Sequence, residues 1–175
     1  FKDGLRYIPA DRNSRGSATN LSLIQNSILK NHRWESFSKN GILSMGPIEE
    51  LSQKLVKDYD VRFASLSDPV STLSGGNLQK LIVGRETYQH PKLLIAEQPT
   101  RGLDVSAIEF VRRLLLRERD ENAAILLISA DLDEVLALAD RIAVMYEGRI
   151  VYHCNREDVC MESLGLAMAG LTQED

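Results

Sequence analysis

The 175 residues carry 21 Lys+Arg against 25 Asp+Glu, a formal net charge of −4, with 43% hydrophobic and 26% charged side chains. That balance supports one ordinary domain with a buried core and excludes a mainly disordered chain, while the mild acidity excludes a uniformly basic nucleic-acid surface. Cys154 and Cys160 are too few for a disulfide scaffold, which favours a reducing compartment, and no run approaches the roughly 18–20 apolar residues of a membrane span.

The chain opens Phe1-Lys2-Asp3-Gly4 without a methionine, which reads as a piece of something longer. Arg6-Tyr7-Ile8 predicts a short strand stopped by Pro9, and the polar run Asp11 to Gly16 predicts a loop. Leu21, Leu23, Ile24, Ile28 and Leu29 predict a short helix led in by Thr19-Asn20. Ser36 to Gly46 is polar and punctuated by glycine. Pro47 then suits the first turn of a helix bearing Ile48, Leu51, Leu55 and Val56. Asp60 to Asp68 predicts a loop.

From Thr72 the pattern sharpens. Ser74-Gly75-Gly76-Asn77 precedes a helix carrying Leu78, Leu81 and Ile82, Leu93 to Ala96 reads as a buried strand, and Val105 to Leu115 as a helix. Ile125 to Ile128 is a second apolar strand. Asp131-x-x-Glu134 looks like a capping box for the next helix. Ile142 to Tyr146 and Arg149 to Tyr152 read as strands around a tight Glu147-Gly148 turn, and Asn155 opens a last helix ending near Gly170. Strands alternating with helices imply an α/β architecture with a mainly parallel sheet, and 19–71 is a helical insertion.

Two segments carry chemistry. In Leu73-Ser74-Gly75-Gly76-Asn77-Leu78-Gln79-Lys80, a serine and two glycines at a helix start leave backbone N–H groups uncovered, where the helix dipole favours an anion such as phosphate; the alternative is a plain serine cap beside two loop glycines. Leu93 to Glu97, followed by Gln98-Pro99-Thr100-Arg101-Gly102-Leu103-Asp104, delivers a carboxylate and an amide at the end of a strand. Ligands of open α/β sheets gather at that edge, and a carboxylate there can hold Mg²⁺; a strand followed by a proline turn is the bland alternative.

The order and spacing of these segments resemble the nucleotide-binding domain of ABC transporter ATPases, in which a Leu-Ser-Gly-Gly-Gln signature precedes a strand with Asp-Glu-Pro-Thr and then Gly-Leu-Asp. The resemblance runs on through Ile128-Ser129-Ala130-Asp131, Asp140-Arg141-Ile142 and Met145-Tyr146-Glu147-Gly148-Arg149-Ile150. Tyr7-Ile8-Pro9-Ala10-Asp11-Arg12 and Gly165-Leu166-Ala167-Met168-Ala169-Gly170 look like the second, C-terminal ATPase domain of simple-sugar or nucleoside importers, and Gln98 to Asp104 leans toward the nucleoside branch. The expected architecture is a partial P-loop-type α/β domain over 1–170. In it, 19–71 and the signature helix form a helical subdomain, 91–153 the core strands and helices, and 171–175 a tail.

The chain departs from the family pattern in several places. No Gly-x-x-x-x-Gly-Lys-Ser/Thr phosphate loop is present: Gly41 and Gly46 have the glycine spacing, but Pro47-Ile48 follows. In the family that loop lies upstream of the Tyr7 segment. The resemblance places Glu97 at the Mg²⁺-linked aspartate, Gln98 at the water-activating glutamate and Ala130 at the switch histidine, with Ala10 where a Gln or Glu is usual. An amide cannot take the proton of an attacking water, and loss of a general base costs roughly 10²- to 10⁴-fold. The chain's own site therefore reads as degenerate, with Glu97 a weak metal candidate. The signature survives with Asn77 in place of Gln, so Ser74, Gly75, Gly76, Asn77 and Asp104 are expected to complete a partner's ATP site in a head-to-tail dimer.

The resemblance implies ATP and Mg²⁺ in the complete assembly, a second nucleotide-binding domain and transmembrane permease subunits as partners, and indirectly a solute-binding protein, with no nucleic acid. It implies a peripheral place on the cytoplasmic face of the plasma membrane. The alternatives are a non-catalytic module that completes a partner ATPase and an ABC ATPase of translation or DNA repair. His32, His90 and His153 show no metal-ligand spacing and read as surface or turn residues, and the two cysteines read as structural thiols. Trp34 reads as a core or loop anchor, the arginines at 112, 113, 117 and 119 as a solvated helix face, and Lys80 and Arg85 as either anion-site helpers or snorkelling side chains.

Overall fold

The computed structural model describes residues 4–171; the 172–175 part of the expected tail and the opening Phe1-Lys2-Asp3 lie outside the described residues. In chain order the elements are β1 (Leu5–Ile8), α1 (Leu23–Ser27), β2 (Ser38–Lys39), β3 (Ile42–Leu43), α2 (Met45–Asp58), α3 (Gly75–Thr87), β4 (Leu93–Glu97), α4 (Val105–Asp120), β5 (Ala124–Ile128), α5 (Leu132–Leu138), β6 (Arg141–Tyr146), β7 (Arg149–Asn155) and α6 (Met161–Met168). Two compact units result, 1–128 and 129–175.

In the first unit, β1, β4 and β5 form a parallel sheet in the order β1-β4-β5, with Ile8 opposite Ala96 and Ala96 opposite Leu127. Helices α3 and α4 pack together, with α3 against β1 and α4 against β5. The strands alternate accordingly: Arg6, Ile8, Leu94 and Ala96 are buried, whereas Leu5, Leu93, Leu126 and Ile128 are exposed. Parallel sheets normally have both faces covered, so the bare apolar face is unusual.

Helix α3 is the centre of the unit. It buries Leu78, Leu81, Ile82 and Val83 and touches α1, α2, α4 and β1. At Gly84 the Tyr59 ring lies so close that an added Cβ would come within 2.8 Å of it, so only glycine admits this approach. Charged partners sit beneath: buried Arg85 donates to the carbonyls of Gly16 (2.8 Å) and Asn26 (3.2 Å) and pairs with Glu86, which also meets Lys30 at 3.0 Å. Burial pulls the Lys30 ammonium below its usual range, with Glu86 opposing that shift.

The 19–71 segment is less purely helical than expected. Its first helix starts at Leu23, capped by Ser22 rather than Thr19-Asn20: Ser22 accepts from Gln25 N–H while Gln25 accepts from Ser22 N–H. Strands β2 and β3 pair as a hairpin around Asn40 and Gly41, both at positive φ (52° and 81°), the geometry of an Asn-Gly turn. Trp34 stacks on Phe37 at 6.4 Å between centroids, with the Arg6 guanidinium 5.6 Å from its ring. The Asp11–Gly16 loop is one wide helical turn over Arg12–Gly16, its first N–H groups satisfied by the Asp11 carboxylate.

The second unit holds the antiparallel β6–β7 pair with α6 against it, around a core of Ile142, Val144, Leu164 and Ala167. Two expectations change here. Asp131 does cap α5 through Glu134 N–H, but the Asp131 N–H donates to Ser129 Oγ and the buried Glu134 carboxylate accepts no hydrogen bond, so the capping box is half made. Asn155 begins a short 3₁₀ turn at Arg156–Asp158, and α6 starts separately at Met161. Both cysteines are free thiols, and Cys154 packs against the unit's apolar core.

Candidate functional site

Two clusters arise from the sequence-derived residues of the first unit. The first is the N-terminus of α3. Ser74 has extended backbone angles (φ −62°, ψ 156°) and caps the helix, its Oγ accepting from the Asn77 side-chain amide at 2.9 Å and more weakly from Asn77 N–H at 3.4 Å. Asn77 also accepts from Arg62 N–H at 2.8 Å, so it fastens the cap to the preceding loop. Gly75 and Gly76 occupy the first turn, where N–H groups lack helical acceptors.

The start of α4 closes this cluster. A Cβ on Gly76 would meet Ala107 Cβ at 3.2 Å and Asp104 Oδ2 at 3.4 Å. Asp104 caps α4, accepting from Ser106 Oγ (2.7 Å) and Ala107 N–H (2.9 Å); the Ser106 hydroxyl first, then that N–H, hold its carboxyl below the usual range. Arg12 was not among the residues expected here. Its guanidinium donates to Arg101 O at 2.6 Å, lies 3.9 Å from a Cβ placed on Gly75 and 3.3 Å from one on Gly102, itself at φ +66°. A cation therefore stands beside the open glycines, reinforcing the dipole of α3. Nothing in the local sequence of Arg12 points across the chain to Gly75.

The second cluster is the C-terminal end of β4. Glu97 Oε2 accepts from the Tyr7 hydroxyl and from Ala10 N–H at 3.5 Å, fastening the ends of β4 and β1. The Tyr7 hydroxyl first and Ala10 N–H second hold the Glu97 carboxyl below its usual range, and the same bond raises the Tyr7 phenol. Gln98 follows in a left-handed conformation (φ 46°), its N–H bonded to Ile128 O at 2.7 Å, and buried Gln79 of α3 donates to Pro99 O at 2.6 Å. Ala130 is exposed in the loop after β5 and belongs to the other unit.

Glu97 is the one acidic residue at the end of β4, so a Mg²⁺ ion there would need phosphate, water or residues from elsewhere to complete its shell. One of the Glu97 oxygens serves Tyr7 and Ala10, and among the described residues no set of three His, Cys, Asp or Glu ligands gathers there. Lys80 and Arg85 are engaged away from the α3 N-terminus. Lys80 pairs with Asp60 at 2.7 Å above the Phe110 ring, lowering the Asp60 carboxyl, and Arg85 is buried among carbonyls. Among the described residues no helix is long and apolar enough to cross a membrane.

No protein-family model matches the chain. It is 42% identical over 174 residues to the guanosine import ATP-binding protein NupO of Bacillus subtilis, covering 99% of this chain and 34% of that protein. It is 44% identical over 170 residues to the glucose import ATP-binding protein TsgD13 of Haloferax volcanii, covering 96% and 31%. The chain thus spans about a third of the length of the curated relatives it matches. Among solved structures, the dimeric ABC transporter cassette MJ0796 superposes with TM-score 0.71 at 18% identity, covering 89% of this chain and 64% of that one. The cbiO1 cassette of Clostridium perfringens gives 0.65 at 20%, covering 96% and 62%. With the α/β fold, the signature-like cap of α3 and the carboxylate-bearing end of β4 joined to these likenesses, the chain belongs to the nucleotide-binding-domain family of ABC ATPases, among relatives that are sugar and nucleoside import ATP-binding proteins.

Proposed function

We propose that this chain serves in an ATP-binding subunit for import of a sugar or nucleoside, and that its α3 N-terminus completes an ATP site whose phosphate-gripping loop lies on another domain. The observation that carries the reading is a contrast between two clusters: at the start of α3, Ser74 and Gly75 are exposed, with the Arg12 guanidinium near Gly75 and Gly76 closed against α4, while at the end of β4 Glu97 is engaged by Tyr7. Backbone N–H groups and a guanidinium are suited to the γ-phosphate of a nucleotide presented from outside. The chain contains no phosphate loop, so ATP and Mg²⁺ must be held chiefly by residues outside these 175. Asp104 fixes the start of α4 beside Gly76 and keeps the two helix starts in register.

In this reading hydrolysis at the chain's own strand end is weak. Gln98 can orient a water but cannot accept its proton, Ala130 offers no side-chain hydrogen bond, and Glu97 is engaged by Tyr7. The bare face of the β1-β4-β5 sheet supports the action of the chain within a larger ATPase. A second nucleotide-binding domain, permease subunits meeting the 19–71 segment and a peripheral position at the cytoplasmic membrane face complete the proposal, and the absence of a membrane-crossing helix among the described residues is compatible with it.

The test is a fluorescent-ATP titration with a turnover assay on the 175-residue chain, beside Ser74→Arg in the complete ATPase. Negligible intrinsic binding together with loss of turnover in the variant is the expected result. Tight Mg²⁺-dependent hydrolysis by the 175 residues alone would overturn it. If the 175 residues are inert and Ser74→Arg leaves assembled turnover unchanged, the nucleotide-facing role of α3 is wrong.

A further inference from the structure

A third cluster lies away from both sheet-end groups. His90, in the connection between α3 and β4, meets Glu118 and Glu121 from the last turn of α4 and the residue that follows it. His90 Nδ1 stands 3.6 Å from Glu118 Oε2 and 2.5 Å from Glu121 Oε2, and the three ligand atoms all lie within 4.8 Å of one another. It is the one such grouping of three among the described residues.

Glu118 makes this more than a surface ion pair. Its side chain is 1% exposed; Oε1 accepts from Arg117 at 3.2 Å, but Oε2 accepts no hydrogen bond and faces His90. A buried carboxylate oxygen left without a donor is unfavourable, and an imidazole and a second carboxylate each bring a ligand atom within 4.8 Å of it. We infer that His90, Glu118 and Glu121 form a binding site for a first-row divalent cation of the zinc type, with water filling the remaining positions.

The donor set and spacing fit such an ion. Imidazole nitrogen and carboxylate oxygen bind zinc at about 2.0–2.2 Å, which sets tetrahedral donors about 3.3–3.6 Å apart. The His90–Glu118 pair already has that spacing. The His90–Glu121 contact must open by about 1 Å to admit the ion, and side chains 65% and 43% exposed are free to do so. An ion held there clips the α3–β4 connection to the end of α4, a structural role independent of the nucleotide-facing reading. The histidine is far in sequence from both glutamates, which is why the spacing along the chain did not reveal the site.

The test titrates chelator-treated 175-residue protein with zinc, following calorimetric binding, thermal unfolding and zinc X-ray absorption. The expected result is one ion per chain, a raised Tm, and a shell of one nitrogen-type imidazole and oxygen donors without sulfur. His90→Gly removes the ligand while relaxing the positive φ of 49°, so it retains the fold, and should weaken binding about tenfold or more. Glu121→Gln should weaken it to a lesser degree, and His153→Ala should not change it. Absence of binding at millimolar zinc, unchanged affinity in His90→Gly, or loss of binding only in Cys154→Ser/Cys160→Ser would overturn the assignment.

Discussion

The two clusters, one at the starts of α3 and α4 and the other at the ends of β4 and β1, end in opposite conditions. At the start of α3, small residues leave backbone donors uncovered and Arg12 adds positive charge without filling the space. At the end of β4 the one carboxylate is already satisfied by a phenol and an N–H from the β1 side. The difference lies in local closure: the one strand-end carboxylate has structural partners in Tyr7 and Ala10, whereas Gly75 at the start of α3 has only the Arg12 guanidinium near it.

That contrast depends on a rigid α3, so the strongest perturbation is expected beneath it. Leu81→Ala deletes a side chain only 1% exposed and should lower unfolding free energy by about 2–5 kcal/mol, read by urea denaturation, if α3 is the packed support of the open edge. A much smaller loss would mean that the helix is held elsewhere. Gly84→Ala forces a methyl into the Tyr59 ring and should cost about 1–3 kcal/mol by the same measurement. Tyr59→Leu in the same background should recover part of it.

A finer test concerns the closed edge. The Tyr7 bond depresses the Glu97 carboxyl, so its stabilising contribution is present above the ordinary carboxylate value of about 4 and is lost as pH falls through the lower folded value. Tyr7→Phe should move the Glu97 titration back up, seen by carboxyl-carbon NMR, and erase that acid-limb contribution. An unmoved titration would show that Ala10 N–H alone closes the edge.

The parts of the architecture governed by local periodicity were legible in the sequence. Strands β4 and β5 and helices α2 to α4 follow from apolar runs and helical spacing, and Ser74 caps α3 as its position announces, whereas the Asp104 cap of α4 emerges only in the structure. The β2–β3 hairpin was missed although Asn40-Gly41 is a strong turn signal, because its two-residue strands carry no alternation to read. The Asp131–Glu134 box failed by half because Ser129 took over the donor that Glu134 would have served. Arg12 and the Tyr7–Glu97 bond were not legible at all: both are long-range contacts made by β1 and the turn after it, and no local pattern encodes them. The family resemblance supplied roles for Glu97, Gln98 and Ala130, but only the geometry revealed that Glu97 is already engaged.

The central claim is that the open edge acts and the closed edge does not, and ATP turnover of the complete ATPase carrying either Ser74→Arg or Gln98→Ala tests it most directly. The account predicts a fall of roughly 100-fold or more for Ser74→Arg, the scale of losing preorganised donors at a reacting phosphate, and a change within about twofold for Gln98→Ala. Retained turnover in Ser74→Arg with a collapse in Gln98→Ala would contradict it.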